Sequence, residues 1–473
     1  METFNPTSMN NLPFPYNSYT LANVSPFTST TTTNNNNNFP FINSTTITTT
    51  TTMSSSSTMS TTTQWMDPRI WSRIPQQIMD RILACLPPPA FFRARSVCKR
   101  WYALLFSNSF LQLYLQVCPT FHWFIFFPHK SPKTTTNFVG GAGNNGGSCL
   151  PTSVKAYLFD PYEVKWHTIS FPMIPLGFTP AASSAGLICW ISDEPGQKNL
   201  FLHNPVAGSM TQLPQTLRPR LYPSVGLSVT QSSILMTLAG DDLISPYAVK
   251  NLTTETFHLD SSGFYSMWDT TSCLPRLCSL ESSTQMVHFE GRFYCMDYNP
   301  YSVLTYDLNS NTWWKIQAPM RRFLRSPSLV ECTGGRLLLV AAVEKSKLNV
   351  PRSLRLWALQ GCGTQWVEVE RMPQQLFAQF EQIEANLGFH CVGNGEFIII
   401  MIKGINKGLL FDFERKTWVW LPNYNHNHHN YNDDYNNNDV ISDLHGFAYQ
   451  PTLVAPVVAL LQHLAPPFQN YST

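Results

Sequence analysis

Three groups of residues in this chain are of types that could do chemistry. The tract 423–439, NYNHNHHNYNDDYNNND, holds His426, His428 and His429, and imidazoles are common metal ligands. The tract is otherwise polar and flexible in character, so it reads as a disordered loop and no metal is expected. Cys273 and Cys278 are the closest cysteine pair, too widely spaced for a Cys-x-x-Cys arm and without a second pair. The third group is PPPAFFRARSVCKRW, residues 87–101, where Arg93, Arg95, Lys99 and Arg100 sit among apolar side chains. That mixture is suited to binding rather than to making bonds. No phosphate loop, nucleophile elbow or metal motif is present. No set of His, Cys, Tyr or carboxylate residues is expected to converge on a central channel, so neither catalysis nor a cofactor is expected.

The whole composition agrees with a binding protein. Net charge is +2 with 13% charged residues, so affinity for acidic partners must come from local patches. Apolar residues make up 43% and aromatics 13%, enough for a large core. The 473 residues exceed one ordinary core and imply two to three domains or one large repeat architecture. Eleven cysteines show no regular pairing, and Cys189, Cys295 and Cys391 lie in apolar runs, as buried reduced thiols do. The first residues carry no leader pattern. LVAPVVALLQHL contains Pro456 and falls short of the roughly 20 residues a bilayer needs, so no membrane anchor is expected.

The elements that position these groups have two textures. Residues 1–63 are rich in Ser, Thr and Asn and are expected to be disordered. Residues 64–116 read as three short helices. Pro75 suits a first turn, with Ser72 as a cap, and Ile78, Ile82 and Leu86 recur every four residues, with Leu83 beside them. Pro87–Pro89 should end that helix. The next should start near Phe91 and carry Ala94, Val97, Cys98, Trp101, Leu104 and Leu105 on one stripe. SFLQLYLQ, with Phe110, Leu111, Tyr114 and Leu115, makes the third. About 50 residues form a poor core alone, so this module must hide an apolar face, either as a cap on the second domain or against another protein. The residues leave that choice open.

Residues 117–464 read as strands. Units such as AYLFDPYEVKWHTISFP (156–172) and LTYDLNSNTWWKIQAP (304–319) repeat a strand, a polar turn and a strand with a large residue. Those large residues are Trp166, Met210, Phe257, Trp313, Trp366 and Trp418, spaced by 44 to 56 residues. Most units follow a hairpin, such as MVHFEGRFYCMD (286–297), giving four strands per repeat. That predicts a mainly β fold, a β-propeller of six blades within a range of five to seven. LHGFAYQP (444–451) is a spare strand that would complete the first blade and close the ring. The repeated Trp and Asp residues read as inter-blade packing and turn residues.

On this blade map one face gathers cations. Between-blade loops hold Arg218, Arg220, Arg321, Arg322 and Arg325, and neighbouring loops hold Lys345, Lys347, Arg352, Lys403 and Lys407, interrupted by Asp241 and Asp242. Such a rim would face an acidic protein segment or DNA phosphates. No base-reading helix or zinc motif accompanies it.

IPQQIMDRILACLP (74–87) followed by FFRARSVCKRWYALL (91–105) resembles the F-box, with Ile74 where that family usually has Leu and the string VCKRW complete at 97–101. The strand repeats look like the kelch-type propeller that often follows an F-box, although the usual double glycine is largely missing. QWMDPRIW, AGDDLISPYAVKNL and QAPMRRFLRSPSL extend the similarity to the plant floral-identity F-box proteins. The resemblance implies a non-catalytic substrate receptor of a cullin-type ubiquitin ligase, docked on a Skp-like adaptor. It places Ile74, Pro75, Ile78, Ile82, Leu86, Val97, Cys98 and Trp101 at the adaptor face or in the core behind it. It further implies a LEAFY-like transcription factor as partner and control of floral meristem and organ identity. The alternative role is a non-proteolytic transcriptional cofactor. The implied compartment is the nucleus, with the cytoplasm second.

Overall fold

The structure is a computed structural model that describes residues 73–128, 154–171, 174–241, 252–260, 267–276, 278–280, 285–298, 300–320, 322–332, 335–344, 352–424 and 443–454. The tail 1–63 and Ser72 lie outside these residues, as do Arg321, Lys345, Lys347, Asp242 and nearly all of 423–439.

Helix α1 (Gln76–Ala84) follows Pro75 and buries Met79, Leu83 and Ala84. Ile78 and Ile82 therefore do not share the buried face of Leu83 and are left exposed. Helix α2 (Pro88–Arg95) corrects the expected boundary, because Pro88 and Pro89 open it rather than only ending the helix before. First-turn N–H groups have no intrahelical acceptor, so proline loses nothing there. The expected single stripe from Ala94 to Leu105 is also broken. Cys98 is extended, with φ −155° and ψ 159°, and its Sγ accepts from the Trp101 N–H as helix α3 (Lys99–Tyr102) starts. The break turns Val97 outward. A 3-10 turn (Ala103–Phe106) leads into helix α4 (Asn108–Val117), which Ser107 caps by accepting from Phe110 N–H at 3.4 Å.

The inner side of these helices is not a separate core. Met79, Leu83, Phe91, Phe110 and Tyr114 form one apolar cluster with Trp123, Phe127, Tyr449 and Leu453. The Leu453 N–H donates to Tyr114 Oη at 3.4 Å, across the junction. The helical module is thus a cap on the strand domain along one side.

The strands form antiparallel meanders. Leu444–Tyr449, Trp123–Pro128, Val154–Asp160 and Lys165–Phe171 make the first sheet. Phe178–Ser184, Leu187–Ser192, Leu200–Asn204 and Ser209–Gln212 make the second. The next sheet has eight strands in two four-stranded halves. One half runs inward to outward as Ser224–Val229, Ser233–Asp241, Leu252–Asp260 and Asp269–Thr270. The other runs as Gln285–Phe289, Arg292–Asp297, Ser302–Asp307 and Thr312–Gln317. The halves touch through a short parallel pairing, Val225 with Gln285 and Gly226 with Met286. Leu324–Cys332, Arg336–Val343, Ser353–Leu359 and Trp366–Arg371 form a further sheet. Phe389–Asn394, Phe397–Ile402, Gly408–Asp412 and Thr417–Trp420 form the last. The first sheet joins the two ends of the domain, since Leu444–Tyr449 pairs with Trp123–Pro128 from Trp123↔Tyr449 to Pro128↔Leu444.

Two repeated devices set this pattern. Asp160, Asn204, Asp307 and Asp412 each end a strand and accept from the backbone N–H groups two and three residues on, closing the turn. Three tryptophans latch a sheet to its neighbour. Trp166 Nε1 donates to the Pro422 carbonyl at 2.7 Å, Trp268 Nε1 to the Pro214 carbonyl at 2.8 Å, and Trp313 Nε1 to Thr271 Oγ1 at 3.1 Å. One assignment needs correction. Phe257 does not follow a turn as the other large residues do, because Leu252–Asp260 is a single strand with Phe257 buried in it. Trp268 takes the latch position of that unit.

Candidate docking face and central channel

The outer side of the helical module carries the first site. Val97 is 66% exposed, Ile78 51% and Ile82 37%, which is unusual for large apolar side chains on so small a module. Pro75 and Cys98 are exposed beside them, whereas Ile74, Leu86 and Trp101 are half-buried against the inner cluster. The eight residues singled out from sequence thus divide. Five open to solvent and three brace them from behind.

The nearby cations also divide. Arg100 pairs with Asp80 of α1 at 2.6 Å, joining α3 to α1. Arg95 Nε donates to the Tyr102 carbonyl at 3.2 Å, and its guanidinium lies 4.7 Å from the Tyr102 ring. Burial lowers the Arg95 pKa from its ordinary value. Arg93 and Lys99 are exposed.

The expected basic rim is altered by what its members touch. Arg220 is not partner-facing. Its guanidinium and the Glu255 carboxylate are both fully buried, 2.8 Å apart. Arg220 also donates to the Gly240 and Thr253 carbonyls, and Glu255 accepts from the Leu217 N–H. That network anchors the loop between the second and third units. Arg325 is held by Glu384 at 2.5 Å, at the end of helix α5 (Gln374–Glu384), which the sequence reading missed. Phe377, Phe380 and Glu384 are its buried face, at helical spacing after Pro373. Arg352 pairs with Glu381 of α5 at 2.8 Å but stays largely exposed. Arg218 and Lys403 are half-buried, and Arg322 and Lys407 are exposed.

The innermost strands bring together a third group that sequence reasoning did not anticipate. A cavity of about 250 Å³ runs between them. Among its lining residues are His288, His390, His445, Glu331, Gln285, Ser183, Ser228 and Ser328. The expectation that no His or carboxylate cluster converges on a channel is therefore overturned. The signal was available as one polar residue inside each innermost strand, in MVHFE, LVECT, FHCVG and LHGFA. It was hidden because strand order around a ring cannot be read from a single strand. The His390 and His445 rings stack at 6.2 Å. Burial, with His445 and Lys403 nearby, drives the His390 pKa down to about 3, and burial also lowers that of His288. His288 and His390 stay neutral at physiological pH. Among the described residues no group of three or more His, Cys, Asp or Glu is placed to hold a metal.

An F-box domain pattern matches residues 71–113, and a KIB1-4 beta-propeller pattern matches residues 158–383. Protein UNUSUAL FLORAL ORGANS of Arabidopsis thaliana is 55% identical over 86% of this chain and 90% of its own length. Protein ABERRANT PANICLE ORGANIZATION 1 of Oryza sativa subsp. japonica is 40% identical over 85% of this chain and 93% of its own. An F-box/kelch-repeat protein of Arabidopsis thaliana is 26% identical over 74% of this chain and 84% of its own. With the F-box cap and the propeller both in place, the chain belongs to the family of plant F-box proteins that includes UNUSUAL FLORAL ORGANS and ABERRANT PANICLE ORGANIZATION 1.

Proposed function

We propose that this protein is the substrate receptor of a cullin-type ubiquitin ligase, with the propeller read as six-bladed. It does no chemistry itself. In this reading Pro75, Ile78, Ile82, Val97 and Cys98 contact a Skp-like adaptor, with Ile74, Leu86 and Trp101 fixing their positions. The propeller holds a LEAFY-like transcription factor in the nucleus, where the pair directs floral meristem and organ identity. The observation that carries the reading is the exposed Ile78, Ile82 and Val97 patch, on a module whose other side is already buried against the propeller. Covering one such side chain contributes about 1.5–3 kcal/mol. Ile82→Asp should reduce adaptor pull-down at least tenfold, with the thermal melting temperature within a few degrees of wild type. Undiminished pull-down would refute the assignment.

The alternative is a non-proteolytic cofactor that helps the transcription factor engage DNA. The exposed Arg322 and Arg352 favour it, since such groups suit phosphate contacts. Measuring activation of a target promoter by the Ile82→Asp variant separates the two. The cofactor reading requires full activation, and the ligase reading requires its loss. Deleting the F-box is a poorer test, because Trp123, Phe127 and Tyr449 would lose the cap that buries them.

A further inference from the structure

We propose that the central channel of the propeller binds a small organic cation, a compound with a primary ammonium or guanidinium group, held by the Glu331 carboxylate. The cavity of about 250 Å³ lies just below the roughly 300–1,000 Å³ of drug-sized pockets, so it suits a compact or slender ligand. Among the described residues its lining contains no Lys, Arg or Asp. Glu331 is the lone carboxylate among the lining residues, and the three histidines beside it are Nε2 or Nδ1 acceptors when neutral.

The channel also holds polar atoms that want a partner. Ser183 Oγ, His288 Nε2 and His390 Nε2 are buried and make no hydrogen bond among the described residues. Buried polar groups left unmatched are costly, and these atoms are sealed from the open cavity space, so they make its wall polar without touching a ligand. Among the described residues Glu331 forms no ion pair; its side chain stays open to solvent, and the surrounding walls raise its carboxyl pKa above its ordinary value. The Tyr298 side chain, also in the lining, adds an aromatic face on which a cation is favoured.

The cation that touches this region stands away from Glu331. Lys403 acts on His390, near the start of the innermost strand Phe389–Asn394. Glu331 is level with Gly393, where a Cβ would meet the Glu331 carbonyl at 2.5 Å. Three residues of strand separate the two levels, about 10 Å. The ligand cation is accordingly placed toward the Glu331 end.

The test is calorimetric titration of putrescine and agmatine into the full-length protein. One saturable site per chain is expected, with 1,4-butanediol, the uncharged counterpart of putrescine, giving none. Glu331→Gln should weaken binding at least about tenfold, the loss of one charge-assisted hydrogen bond. Gln285→Glu adds a second carboxylate to the same wall and should tighten binding several-fold, so the proposal does not hang on one variant. A short peptide with a single arginine shares the guanidinium but not the size. Agmatine binding with the peptide excluded supports a free small molecule, and the reverse overturns it in favour of a partner's side chain. Absence of saturable heat from both amines, equal binding of butanediol, or unchanged affinity in Glu331→Gln would show a channel that holds water alone.

Discussion

At the residue scale the buried Arg220–Glu255 pair shows how charge type alone misleads. Both side chains are fully buried, and Arg220 Nη2 has no partner among the described residues. Removing one member leaves an uncompensated buried charge. Arg220→Met should lower the unfolding free energy by about 3–5 kcal/mol, read from the urea midpoint. Arg220→Met with Glu255→Leu should recover most of that loss, because a buried pair is often replaceable by apolar groups. Sequence reading placed Arg220 on an exposed rim from its loop position. It could not see Glu255, thirty-five residues on, turned toward the same point. The F-box positions were more legible. Helical spacing identified Ile78 and Ile82, and the short string VCKRW identified Val97 and Trp101. Which of them face outward depended on the extended backbone at Cys98, which spacing does not report.

At the element scale the hairpins were readable and their neighbours were not. Strands two residues apart with Gly or Asn between them announce themselves, as at Phe289–Arg292 and Asn394–Phe397. Leu252–Asp260 misled because TTE resembles a turn yet lies inside one strand. Trp268 was overlooked for the same reason. The latches make a testable element. Trp166→Phe keeps most of the ring and removes the Nε1 donor to Pro422, so it should cost about 1 kcal/mol. Phe447→Ala acts on the closing strand, where Phe447 is fully buried beside Phe127. A loss of about 3–5 kcal/mol is expected, with faster proteolysis, because the cavity sits at the seam of the ring.

At the scale of the whole molecule, buried imidazoles make stability depend on pH. His203 and His390 have pKa values near 4 and 3, depressed by burial, and those of His167 and His288 are lowered too. An unfolded chain protonates these histidines near pH 6.5, whereas the folded protein does not. The unfolded state therefore binds more protons below that pH. Stability should be level above about pH 6.5 and fall toward pH 4, by up to about 1.4 kcal/mol per pH unit for each histidine. Urea titrations at pH 7.5, 6 and 5 check the slope, and constant midpoints would contradict it.

The pairing of Trp123–Pro128 with Leu444–Tyr449 has a consequence for synthesis. The first strand leaves the ribosome more than 300 residues before its partner, and long-range pairing of this kind is slow. Leu453, which meets Tyr114 of the F-box, follows the closing strand. A nascent or C-terminally truncated chain thus carries an F-box whose inner face lacks part of its cover, from Phe447, Tyr449 and Leu453. The braced arrangement of Ile74, Leu86 and Trp101 is complete only once the last blade strand has been made, so a firm adaptor face is a mark of a finished molecule.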